Sequence, residues 1–145
     1  SLGINGLNKS KIEGDKTTPV GVYSLGKLYV RTDRIKNLKT NFKYISILKT
    51  MAWSDDPKSN DYNKLINIGY DHKERLYRND HIYDLILVVN YNIEPIIPHK
   101  GSAIFIHISK NNYSSTQGCI GLNQDDFAEI LLTLKPADKI KIIED

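Results

Sequence analysis

One cysteine and four histidines carry most of the chemical possibilities of this chain. Cys119 stands in Gln117-Gly118-Cys119-Ile120-Gly121, where glycines free the backbone and remove side-chain bulk, so a substrate can come close to the sulfur. A thiol attacks carbonyls as its thiolate. With an ordinary pKa of about 8.5, only a few per cent is ionised at neutral pH, and a nearby imidazole or helix N-terminus raises that share. Two histidines have a pattern relating them to the cysteine: His107 ends a strand-like run twelve residues before it, and His72 lies further upstream. His81 and His99 stand in polar, turn-like surroundings and are expected at the surface. The bland alternative stays open, because a free cysteine is most often a small buried hydrophobe. No His-x-x-x-His, paired cysteines, phosphate loop or dinucleotide fingerprint occurs, so neither metal nor cofactor is expected.

Several elements must position these residues. Gly101 to Ile108 alternates, with Ala103, Phe105 and His107 on one face and Ile104, Ile106 and Ile108 on the other. A polar loop then leads to Cys119. Asn123 caps an expected helix over 124–134, and Asp125 and Asp126 suit its positive N-terminus. Phe127, Ile130, Leu131 and Leu134 have i, i+3, i+4, i+7 spacing, which predicts one buried face. Upstream, Val22 to Val30 reads as a strand with Tyr23, Leu25 and Leu28 inward, and Tyr44 to Leu48 as a second. Ile82 to Tyr91 is the most apolar and therefore the central strand; Lys139 to Ile143 is the last, after Pro136 stops the helix. Residues 1–18 read as an irregular lead-in, and Glu74 to Asp80 as a short helix or turn. Trp53 opens a long irregular segment to about Tyr70, expected to line a cleft or to pin itself to the core. The sum is a mainly β (α+β) domain spanning residues 1–145.

Composition narrows the function classes. The apolar fraction of 40% and charged fraction of 26% are those of an ordinary globular domain, and no run approaches a membrane span. The net charge of +3 is scattered among acidic residues, which does not make a nucleic-acid surface. One cysteine allows no intrachain disulfide, and no basic-then-apolar leader is visible.

Two runs together resemble the catalytic domain of the L,D-transpeptidases of the YkuD family. In that family a strand-borne histidine precedes a Ser/Thr-x-Gly-Cys motif, matched here by His107 and Thr116-Gln117-Gly118-Cys119. The family's Gly-Asp-x-x-Thr-Pro-x-Gly turn ahead of a strand is matched by Gly14-Asp15-Lys16-Thr17-Thr18-Pro19-Val20-Gly21. The order of turn, strands, long insert, His strand, Cys loop, helix and last strand agrees over nearly the whole chain. Trp53-Ser54-Asp55-Asp56-Pro57, Tyr83-Asp84 and Gly101-Ser102-Ala103-Ile104-Phe105 look like a compact proteobacterial branch. The His-to-Cys spacing is shorter than in the best-known members, Gln117 stands where many carry a second histidine, and Gly121 where many carry Arg or Asn. A second echo, of the Q-A-C-x-G caspase signature with His72 upstream, needs a helix-wrapped parallel sheet, and this chain offers one good helix.

The resemblance implies a β-sandwich or barrel of mixed sheets with one main helix after the Cys loop. It implies that Cys119 attacks a peptidoglycan stem-peptide carbonyl with His107 as proton acceptor, releasing D-alanine and leaving a thioester for an amine of a second stem. The backbone of Gly118 and Cys119 would hold the oxyanion and the carbonyl of Ile108 would orient the imidazole. Gln117, Thr116, His72, Trp53 and Tyr62 are the implied substrate contacts. Donor and acceptor stems are the implied partners of a periplasmic monomer, with no nucleic acid, no transmembrane segment, no metal and no cofactor. With water as acceptor the same site is an L,D-carboxypeptidase; with a silent site the domain would only bind peptidoglycan.

Overall fold

The computed structural model describes residues 1–67 and 73–144. In chain order these form β1 (Leu7–Asn8), β2 (Thr18–Pro19), β3 (Gly21–Val30), β4 (Tyr44–Ser46), β5 (Met51–Ser54), β6 (Leu65–Asn67) and β7 (Lys73–Arg75). There follow β8 (Leu85–Val89), β9 (Phe105–Ile108), β10 (Ile120–Leu122), helix α1 (Gln124–Thr133) and β11 (Lys139–Ile142). The domain is mainly β with one helix among the described residues, and that helix is too short to cross a membrane.

A mixed sheet runs in the order β10-β9-β8-β3-β11, with β4 alongside β3. Leu85 to Val89 is buried on both faces, as its unbroken apolar run requires of a central strand. On one face Leu85, Leu87, Ile104, Ile106 and Ile108 pack with Phe127 and Leu131 of α1. On the other, Ile86, Val88 and Phe105 pack with Trp53 and Leu76 beneath the smaller antiparallel sheet β6-β5-β7. The architecture is a sandwich with a helix on one side and a second sheet on the other.

Four expectations change. The lead-in has structure: β1 pairs in parallel with β2, and Gly3 bridges to Thr116. The segment expected to be irregular from Trp53 starts inside β5 and contains β6, the two pairing antiparallel from Met51 opposite Asn67 to Trp53 opposite Leu65. The run from Glu74 begins as strand β7, pairing Glu74 with Trp53, rather than as a helix. Ile130 is exposed although its spacing suited the buried face; Phe127 and Leu131 are buried, and Leu134 packs partly against the same core. The helix cap is as expected, with Asn123 Oδ1 accepting from the Asp125 N–H at 2.8 Å. In β3 a register shift between Leu25 and Leu28 moves the inward alternation by one residue, so that Tyr23 and Leu25, then Leu28 and Val30, face the same core.

Candidate active site

The sheet brings His107 and Cys119 together by register. β10 runs parallel to β9 with Ile120 opposite Ile106 and Gly121 opposite His107, so Cys119, one residue before β10, arrives level with Phe105, two positions from His107 along the strand. His107 shares a strand face with Phe105, and Cys119 packs against that Phe105 cluster. Both residues line one cavity of about 350 Å³, together with Lys11, Glu74, Arg78 and Tyr83.

The imidazole is fixed in one orientation. Its Nδ1 lies 2.8 Å from the carbonyl oxygen of Ile108. A carbonyl only accepts, so Nδ1 carries the hydrogen in the neutral ring and Nε2 keeps its lone pair for a proton. The Tyr83 ring meets the imidazole edge-on at 5.3 Å. Burial pushes the His107 pKa below its ordinary value, against the raising effect of the Ile108 carbonyl.

The thiol departs from expectation. A helix N-terminus and a histidine nearby predict a lowered pKa, yet protein packed round the sulfur pushes Cys119 up to about 12. Backbone hydrogen bonding from Phe105 and the charge of Lys11 oppose this rise, while Glu74 adds to it. The sulfur donates to the Ala103 carbonyl at 3.1 Å, although the residue as a whole keeps partial exposure. The resting pair is therefore neutral thiol and neutral imidazole, since desolvation disfavours both charged forms.

The Cys loop is held by hydroxyls. Thr116 Oγ1 donates to Cys119 O at 2.6 Å and accepts from the Gly118 N–H at 3.1 Å. The Gly118 amide, expected to face an oxyanion, is thus engaged within its own turn, and Thr116, which lines the cavity, uses its hydroxyl to clamp the loop. Thr18 Oγ1 donates to Gly118 O at 2.9 Å and accepts from the Gly3 N–H at 2.9 Å, tying the N-terminal turn to the nucleophile loop. Gly118 has φ +132° and a Cβ there would meet the Thr17 carbonyl at 2.8 Å, so the position demands glycine.

The other expected contacts separate. Gln117 is exposed and lines the cavity. Trp53 is buried and pinned: Nε1 donates to Asn63 Oδ1 at 2.9 Å and its ring packs on Phe105 at 5.2 Å. It does not line the cavity, because its alternation on β5 turns it into the core between the sheets. Tyr62 is also buried away from the cavity wall; its hydroxyl donates to Glu13 at 2.5 Å and accepts from the Gly101 N–H at 2.9 Å. His72 lies outside the described residues. His81 is largely exposed beside Asp84, and His99 is exposed.

Sequence reasoning missed Lys11, Glu13, Glu74, Arg78 and Tyr83. Arg78 is clamped by Asp80 through two bonds of 2.8 and 2.7 Å and lies 5.2 Å above the Tyr83 ring. Glu74 bonds Tyr83, and burial pushes its carboxyl above the ordinary range. Tyr83 stands in a segment noted for its likeness to one branch of a family; the others left no signal beyond ordinary charge.

Fold and site together place one thiol and one imidazole on the wall of a single cavity in a mainly β domain. The chain matches the YkuD model, described as the L,D-transpeptidase catalytic domain, over residues 1–142, and it belongs to that family. No curated protein and no solved structure matches it.

Proposed function

We propose that this protein is a peptidoglycan L,D-transpeptidase that uses Cys119 as nucleophile and His107 as base. The observation that carries the reading is the shared cavity of the two side chains, with Nδ1 of His107 occupied by the Ile108 carbonyl and Nε2 left as the proton acceptor. Family membership supports the substrate class.

Substrate binding must first turn a neutral pair into a reactive one. The Cys119 proton moves to Nε2 of His107, and the sulfur forms a bond to the stem-peptide carbonyl carbon. The oxygen takes the negative charge, and the Cys119 N–H serves as its backbone donor in this reading. Collapse breaks the bond to D-alanine, whose amine takes the proton from the imidazolium. An amine of a second stem then attacks the thioester, loses a proton to His107, and expels the sulfur, which regains the proton. The raised thiol pKa favours this sequence of proton transfer on demand over a standing thiolate. The place of action that goes with such a substrate is the cell envelope, in the periplasm.

Incubation with purified muropeptide monomers, with Cys119→Ala in parallel, tests the reading by mass spectrometry. Cross-linked dimers that vanish in the variant are the expected result. Shortened monomers alone make the protein an L,D-carboxypeptidase with water as acceptor. Binding of peptidoglycan without any Cys119-dependent product would replace the enzyme with a binding domain.

A further inference from the structure

Buried lysines are rare because an ammonium gives up its hydration. Lys11 is 5% exposed, and Nζ pairs with Asp15 Oδ1 at 2.6 Å. A lysine–carboxylate pair does not by itself require burial: Lys9 pairs with Glu144 at 2.9 Å with its side chain 71% exposed. One bond to Asp15 also uses only one of three N–H donors.

The fold routes the Lys11 side chain to the nucleophile loop. Its stem passes Gly101, where a Cβ would lie 3.0 Å from Cε, and Nζ ends at Gly118, where a Cβ would lie 3.4 Å away. Both glycines have left-handed φ, +108° and +132°, and their missing side chains leave room for the lysine beside the backbone. Its ammonium stands against the residue preceding Cys119, in the cavity that His107 shares. Asp15 is itself fixed, accepting from the amides of Ile12 and Thr17 and from the Thr17 hydroxyl at 2.8–2.9 Å, so it anchors the ammonium in place. Lys11 favours the thiolate of Cys119 against burial. The other cations lining the cavity are placed differently: Lys16 and Lys110 are exposed and Arg78 is clamped by Asp80.

We propose that Lys11 is the fixed cation of the site: its ammonium, seated between Gly101 and Gly118, stabilises the negative charge that forms on Cys119 and on the carbonyl oxygen during acyl transfer. The catalytic consequence rests on the acyl-transfer reading above; the coupling of Lys11 to the sulfur does not.

Alkylation of Cys119 tests that coupling without any peptidoglycan substrate. The folded protein is treated with neutral iodoacetamide and with anionic iodoacetate between about pH 7 and 10, and the modified cysteine is quantified by intact mass. The ratio of the two rates reports positive charge at the sulfur, independent of the thiolate fraction. Asp15→Asn serves as reference, and Lys11→Met is made in that background so that no buried carboxylate is left unpaired. Relative to Asp15→Asn, the double variant is expected to lose about fivefold in the iodoacetate-to-iodoacetamide ratio, and about tenfold in iodoacetamide rate if the thiol pKa rises by one unit. Lys11→Gln alone keeps an N–H donor toward Asp15 while removing the charge, and must show the same fall even if the double variant does not fold. An unchanged ratio in the charge-removed variants would reduce Lys11 to a brace of its turn. Inertness of the unaltered thiol to both reagents would also overturn the proposal. A protein without muropeptide turnover but with the Lys11-dependent ratio would keep this coupling and lose the function proposed above, so the two fail separately.

Discussion

On the side of β8 and β9 that meets α1, Ile104, Ile106, Ile108, Leu85 and Leu87 interlock with Phe127 and Leu131, all of them buried hydrocarbon. On the opposite side of the same strands, Phe105 is followed by His107, Cys119 lies alongside, and polar groups of Asn63, Glu74 and Tyr83 share the space. The first face needs only shape and apolar area, which strand alternation and a helical stripe supply. The second holds buried polar atoms that must each find a partner, and distant loops supply those partners. Asn63 shows how: its Oδ1 accepts from Trp53 Nε1 at 2.9 Å and from the Ala103 N–H at 3.0 Å, while Nδ2 donates to the carbonyls of Tyr91 and Asn92 at 3.1 and 2.8 Å. Ala103, held there with φ +53°, offers its carbonyl to the thiol. One face is thus a packing problem and the other a hydrogen-bonding problem, solved on the two sides of one strand.

Substitutions should tell the faces apart. The largest effect belongs to the polar side: Cys119→Ala and His107→Ala are each expected to lower turnover of muropeptides by ~10³-fold or more while leaving the circular dichroism spectrum unchanged. Turnover retained in either variant would remove that residue from the mechanism. Phe127→Ala, on the apolar side, is expected to lower stability by about 3–5 kcal/mol in urea unfolding, with little change in Cys119 alkylation while the protein stays folded. If alkylation changes several-fold, the two faces are one cooperative unit and the contrast fails.

Asn63→Ala comes next. It orphans the Trp53 and Ala103 N–H groups and should cost about 1–3 kcal/mol, accompanied by a shift in Trp53 fluorescence and faster alkylation of Cys119 as the Ala103 carbonyl loosens. A stability loss without any change at the thiol would show that Ala103 is held by other means. Thr18→Val, which removes the hydroxyl between Gly3 and Gly118, should cost about 1 kcal/mol and slow turnover through a looser Cys loop; unaltered melting would count against the clamp.

The smallest effect is a pH dependence. His107 has its folded pKa below the unfolded value, so the unfolded chain binds the proton more readily. Stability from this group is present at high pH and is lost as pH falls below the ordinary histidine value of about 6.5. His107→Asn should therefore flatten part of the decline in melting temperature on acidification. An identical decline in both proteins would mean that the imidazole is not the group being charged.

How much of this was legible beforehand depended on distance along the chain. The face assignment of residues 101–108, the buried pair Phe127 and Leu131, the Asn123 cap and the central place of Leu85 to Val89 follow from local periods and end effects, which each short stretch carries within itself. The motif around Cys119 likewise announced the family to which the chain belongs. What the tertiary structure alone decided was which remote groups reach that motif. Thr18 bonds a carbonyl one hundred residues away, Lys11 threads between Gly101 and Gly118, and Trp53 turns inward to hold Asn63 rather than outward to a cleft. The sign of the thiol shift belongs to the same class. A nearby helix start and histidine pointed down, but the pKa depends on how much protein displaces water from the sulfur, and that enclosure exists only once the whole chain has closed around it.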